Sequence, residues 1–198
     1  CAPLTWIAIL IHYVFNAGIY IVILGIVFWG VDTKKGFKLG TALLFSTSLN
    51  TAIKNFFQVP RPYLVDPSVS TGASETSFSF PSGHSQVAAT IWPLFAGLQK
   101  TWKKWAKILV GLCLPLLVAL SRMYLGVHTP LDVLVSFIIT FLLTTLVNGF
   151  YEKVESADLK VKRIIASVMV VICIALIIYD LVLMNMGLIE YENAGDCF

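Results

Sequence analysis

Six apolar stretches, each near the ~20 residues of helix that cross a bilayer's hydrocarbon core, leave this chain few folds to choose from. They run Leu4–Gly30, Leu39–Phe57, Ser82–Gln99, Trp105–Tyr124, Pro130–Gly149 and Ile164–Gly187. In lipid, backbone amides must find partners within the spanning structure, so such stretches become helices. Of the 198 residues, 58% are hydrophobic and 13% charged, with a mean hydropathy of +0.84, more apolar surface than a soluble domain of this size needs. The expected fold class is all-α, an integral membrane bundle of six transmembrane helices. Linkers this short leave room for one domain over residues 1–198. The first stretch lacks a basic leading segment and a small-residue cleavage site, so it reads as a span and not as a signal peptide.

The basic residues give the bundle an orientation. Three linkers on one side, around residues 31–38, 100–107 and 150–163, hold 11 of the 14 Lys and Arg residues. Positively charged loops stay in the cytoplasm. Both ends of the chain, the acidic Glu190, Glu192 and Asp196 included, then face away from it. The net charge of +3 hides this asymmetry, which topology explains without nucleic acid. Cys113 and Cys173 lie inside spans and read as packing residues, while Cys1 and Cys197 share the outer side, where a disulfide and two free thiols are both open. No cysteine–histidine spacing suggests a metal site.

The three remaining basic residues, Lys54, Arg61 and Arg122, all fall on the outer side, within three polar blocks. Ionisable groups in such an apolar chain are costly, which makes them functional candidates. In the first block, Lys54 and Arg61 stand seven apart, and Pro60 and Pro62 stop the helix so that Arg61 can turn back toward Lys54. Two cations there suit a phosphate, although Lys54 taken alone reads more simply as reaching for the headgroups. The second block, Pro81-Ser82-Gly83-His84, opens a span. Ser82 is a good N-cap, Gly83 lets a ligand approach, and free N–H groups at a helix start bind anions. His84 would stand beside that anion, placed to donate a proton; ordinary capping explains the block equally well. In the third, Arg122 offers a planar fork and Asp132 lies four residues beyond His128. Such a carboxylate can take the proton of one imidazole nitrogen and leave the other as a nucleophile. Thr129, Pro130 and Asp132 also make a respectable helix start, which accounts for neither Arg122 nor His128. Between the first two blocks, residues 58–80 form a long Pro/Ser/Thr/Gly-rich loop, expected to be a lid or rim.

The pattern Lys-x6-Arg-Pro, Pro-Ser-Gly-His, then Ser-Arg-x5-His-x3-Asp resembles the type-2 phosphatidic acid phosphatase superfamily, from Lys54 to Asp132, with no departure at a motif position. The resemblance implies that His128 is a nucleophile forming a phosphohistidine, Asp132 its orienting partner and His84 the general acid. It also implies that Lys54, Arg61 and Arg122, with Ser82 and Gly83, clamp the phosphate. Phosphoryl transfer spreads charge over equatorial oxygens, which fixed cations stabilise; three of them can replace a divalent ion, so no metal or cofactor is expected. The expected function is hydrolysis of a lipid phosphate or diphosphate, such as phosphatidate, phosphatidylglycerol phosphate, a polyprenyl diphosphate or a lipid A phosphate, at the outer face of a bacterial plasma membrane, with the lumenal face of an endoplasmic reticulum giving the same topology. Transfer of the phosphoryl group to another acceptor, and a phosphate-binding or transport protein, are the alternatives. The flanking aromatics read as interface anchors. His12, Asp180 and Asn185 receive no role, and oligomeric state stays open.

Overall fold

A computed structural model describes residues 2–71, 73, 75, 77–156 and 158–185, and among these it is all helix and loop, with no strand. The helices are α1 (Ala2–Val14), α2 (Ala17–Gly25), α3 (Thr33–Phe57), α4 (Pro62–Val65), α5 (Gly83–Leu98), α6 (Lys104–Ile108), α7 (Leu114–Tyr124), α8 (Pro130–Ser156) and α9 (Leu159–Asn185). Cys1 and Cys197 lie outside the described residues, as does the acidic tail.

The first apolar stretch is not one helix. It breaks after Val14, Asn16 caps α2 by accepting from the Gly18 N–H at 3.4 Å, and the two halves meet at a 48° bend. The fourth stretch is continuous but widened: α6 passes through a π-helical turn, Leu109–Cys113, into α7. Pro115 lies just beyond and has no N–H to give the carbonyl four residues back, so the turn opens to accommodate it. Helix α3 starts on Asp32, whose Oδ1 accepts from the Lys34 and Lys35 amides at 2.9 and 3.2 Å, and stops at Gln58, a left-handed residue with φ 48°.

By length and hydropathy, Lys104–Tyr124 and Pro130–Lys153 each suffice to cross a membrane, and the bent first pair makes a third span if counted as one. Helix α3 falls short of the same measure because it is polar where it is buried, and α5, with 16 residues, is also too short. Gln86 of α5 accepts from Asn50 Nδ2 at 2.8 Å and donates to the Ser46 carbonyl at 2.8 Å, and Ser46 and Thr90 share a 2.9 Å hydrogen bond. From α8, Thr140 donates to the Gln86 carbonyl at 3.2 Å. Paired polar groups are tolerated between helices where lone ones are not. Helix α5 is the hub of this arrangement, packed against α3, α7 and α8; α9 runs along α3 and α1 along α7. Apolar clusters such as that of Tyr20, Ala88, Ile91 and Val118 fill the rest of the interior, and the outside is apolar too: Trp6, Trp29, Phe141 and Leu146 are all at least 70% exposed. A water-soluble protein would leave no such apolar shell uncovered.

Candidate functional site

The site lies where α3 ends, α5 begins and α7 hands over to α8. At the end of α3, Lys54 is buried and its Nζ donates to the carbonyls of Phe78 and Ser79. Arg61, also buried, reads both the loop and the next block. Its Nε and Nη2 donate to Ser77 O and Oγ at 2.7 and 3.0 Å, and its Nη1 donates to Val127 O at 3.0 Å. The same Nη1 lies 2.8 Å from His128 Nε2. A guanidinium only donates, so Nε2 is the bare nitrogen and the His128 proton sits on Nδ1. Nδ1 in turn faces Asp132 Oδ2 at 3.4 Å. Burial is the main cause holding the His128 pKa well below its usual value, against the pull of the Asp132 hydrogen bond, so the ring is neutral at neutral pH.

Asp132 does two jobs. Its Oδ2 accepts from Thr129 N at 2.7 Å and Ser79 Oγ at 2.6 Å, while its own N–H donates to Thr129 Oγ1 at 3.2 Å. That reciprocal bonding starts α8 and, through the same oxygen, faces the imidazole. Gly126 makes the preceding turn possible. Its φ is +70°, and a Cβ there would come within 2.2 Å of Val69 O.

Around His84 the chain assembles a second cluster. His84 Nδ1 lies 3.7 Å from Glu75 Oε1, and the same oxygen lies 3.3 Å from Arg122 Nη1. Arg122 Nη1 is also 2.6 Å from His12 Nδ1, so that imidazole nitrogen is the acceptor. Nε and Nη2 of Arg122 are buried and have no hydrogen-bond partner among the described residues. Ligand atoms of His12, Glu75 and His84 lie within 4.8 Å of one another, the nearest approach to a metal set among the described residues. The Arg122 guanidinium already stands against two of the three, which opposes a second cation there.

A cavity of about 340 Å³ opens between these clusters, lined by Lys54, Arg61, Glu75, Ser77, Gly83, His84 and His128, and further along by Tyr20, Thr47, Asn50, Thr51 and other residues. At Gly83 a Cβ would stand 3.2 Å from Asn50 Oδ1, so the absence of a side chain keeps this wall open. Ser82, Arg122 and Asp132 stand outside the lining. The Ser82 hydroxyl is used at the start of α5, donating to Ser85 Oγ at 2.8 Å, and Arg122 is drawn toward Glu75 and His12. Of the three blocks, Lys54, Arg61, Gly83, His84 and His128 therefore converge directly on one cavity. Sequence reasoning passed over Glu75, Ser77 and Ser79 and assigned His12 no role. The available signal for Glu75 was that it is the only acid between Pro67 and Phe80, in a loop bounded by two of the blocks.

Among known proteins, the model of the PAP2 superfamily matches residues 35–156. Phosphatidylglycerophosphatase B of Bacillus subtilis is 40% identical over 122 residues, 57% of this chain and 57% of that protein. Undecaprenyl-diphosphatase of Sulfolobus acidocaldarius is 33% identical over 107 residues, 54% of this chain and 50% of that one. The chain thus spans about half the length of these curated relatives. The crystal structure of a transmembrane PAP2-type phosphatidylglycerolphosphate phosphatase from Bacillus subtilis superposes with a TM-score of 0.65 at 28% identity, over 78% of this chain and 80% of that one.

Proposed function

The chain belongs to the PAP2 superfamily, and on that premise we propose that it is a membrane phosphatase that hydrolyses a lipid phosphate monoester or diphosphate, phosphatidylglycerol phosphate first among them, through a phosphohistidine. The observation that carries this reading is the His128 ring, fixed with Nδ1 toward Asp132 and its bare Nε2 beside Arg61 at the wall of the cavity. The relatives named for phosphatidylglycerol phosphate and undecaprenyl diphosphate support the substrate class.

In this reading, Arg61 donates to the Nε2 lone pair. An arriving phosphate takes the guanidinium for itself and frees the nitrogen for in-line attack. Nε2 bonds to phosphorus as the bond to the leaving oxygen breaks, and His84 supplies that oxygen with a proton. Water, deprotonated by His84, then attacks the phosphohistidine, releasing phosphate and restoring His128. Lys54 and Arg61, with the Gly83 backbone, line the cavity and carry the charge of the transferring group, while Arg122 and Ser82 add to the field from behind it, so no divalent metal is needed. In the same proposal the chain is one six-span domain over residues 1–198, with this site at headgroup depth on the non-cytoplasmic face of a bacterial plasma membrane; the basic residues of the linkers 31–38, 100–107 and 150–163 support that orientation.

Phosphate release from a panel of detergent-solubilised lipid phosphates, in EDTA, tests the proposal. Release is expected from the native chain and not from His128→Ala. Release that requires Mg²⁺, or that survives the substitution, defeats it.

A further inference from the structure

The two histidines of the site are not alike in what the chain places behind them. His128 is backed by Asp132 from its own helix start. His84 has no partner from its own block; Glu75, nine residues earlier in the loop, faces its Nδ1 at 3.7 Å. Glu75 is not a stray loop residue. Its backbone N–H donates to Tyr63 Oη, and its carbonyl accepts from the same hydroxyl, both at 3.2 Å. Its side chain is 18% exposed, lines the cavity and is also held by Arg122 at 3.3 Å.

At 3.7 Å the pair is an ion-pair approach, and because a carboxylate only accepts, Nδ1 is the nitrogen that carries a proton when His84 closes on Glu75. A neutral ring with its proton there has none on Nε2 to give a leaving oxygen. To act as an acid from Nε2, His84 must carry both protons and hence a positive charge. The Arg122 guanidinium, which meets the same carboxylate oxygen at 3.3 Å, and Arg61 on the wall of the same cavity act against that charge. Glu75 is the carboxylate that offsets them.

We propose that Glu75 is the positioning residue of the general acid: it orients His84 through Nδ1 and balances the imidazolium that protonates the leaving oxygen. The inference rests on the phosphohistidine reading above and extends it. When the P–O bond breaks, the Nε2 proton goes to the departing alkoxide, and His84 returns to the neutral form with its Nδ1–H on Glu75. When water attacks the phosphohistidine, Nε2 takes the proton back. The Glu75 side chain thus exchanges no atom with substrate in either step. His12 has a different part: by accepting from Arg122 it helps hold that guanidinium beside Glu75.

The dependence on leaving group reads this role directly, because a nitrophenolate departs without a proton and an alkoxide does not. The full chain is assayed in detergent and EDTA on two phosphates sharing one long tail, an alkyl ester and a nitrophenyl ester. Glu75→Gln should cut alkyl-ester turnover about 10- to 100-fold and nitrophenyl-ester turnover less than about 3-fold. His84→Ala should show the same preference more strongly, and Glu75→Asp should recover part of the loss. An equal fall on both esters, with or without loss of vanadate binding, would assign Glu75 to packing or phosphate binding and overturn the proposal. So would no fall on either ester. If His84→Ala itself shows no preference while His128→Ala is inactive, the acid assignment of His84 fails and the Glu75 role fails with it. If His128→Ala stays active, the failure lies in the phosphohistidine reading.

Discussion

A single oxygen, Asp132 Oδ2, receives a backbone amide, a serine hydroxyl and the approach of an imidazole. Those contacts separate on substitution. Asp132→Asn keeps a carbonyl oxygen for Thr129 N and Ser79 Oγ, so its thermal midpoint in detergent should stay within a few degrees of native. It loses the negative charge that stabilises a ring becoming positive as Nε2 attacks, so its kcat should fall about 100-fold or more. Asp132→Ala should in addition lose the helix cap, about 1 kcal/mol of stability. Equal activity in Asp132→Asn and the native chain would show that the carboxylate serves the helix alone. At the same scale, the two contacts of Asp132, with the helix start and with His128, were legible in five residues of sequence because His128 and Asp132 belong to one local turn. Glu75 was not, because what it faces, His84, His12 and Arg122, comes from three other segments.

Between elements, the site depends on a turn and a loop pressed together. The loop bonds to the α7–α8 turn through Thr71 Oγ1, which donates to Leu125 O at 2.9 Å, and Val69 O sits where a Gly126 Cβ would be. Gly126→Ala therefore combines an unfavourable φ, about 1–2 kcal/mol, with a backbone collision that only displacement of the loop or turn relieves. The expected result is a lower thermal midpoint and weaker phosphate release, because His128 follows two residues later and Arg61 donates to Val127 between them. Native stability and turnover in that variant would mean that the loop floats free of the turn. Helix α5 supplies the other lesson of this scale. Its Ser85, Gln86 and Thr90 make it poor as a lone membrane span, and it is suited to its place because α3 and α8 pair with it.

Among the described residues of the whole molecule, large apolar side chains cover the outside while hydrogen-bonded polar groups join α3, α5 and α8 inside, and the proposed orientation sets the basic linkers on the side opposite the cavity. In a cysteine-free background, a single cysteine at Ser68 should react with a membrane-impermeant maleimide on intact cells, and one at Lys103 only after permeabilisation. The reverse pattern would invert the proposed orientation. By itself, the sequence determined that the chain is helical and built for a bilayer, since hydropathy over ~20 residues is a local property, and it named the three blocks, whose residue types are rare in such surroundings. Only the tertiary structure decided that the first stretch bends at Asn16 and that the carboxylate of a loop backs His84. Only there, too, do Lys54, Arg61, Gly83, His84 and His128 reach one cavity while Ser82 and Arg122 are engaged behind it. Those outcomes rest on contacts between residues far apart in the chain, whose distances are set by helix packing and not by spacing along the sequence.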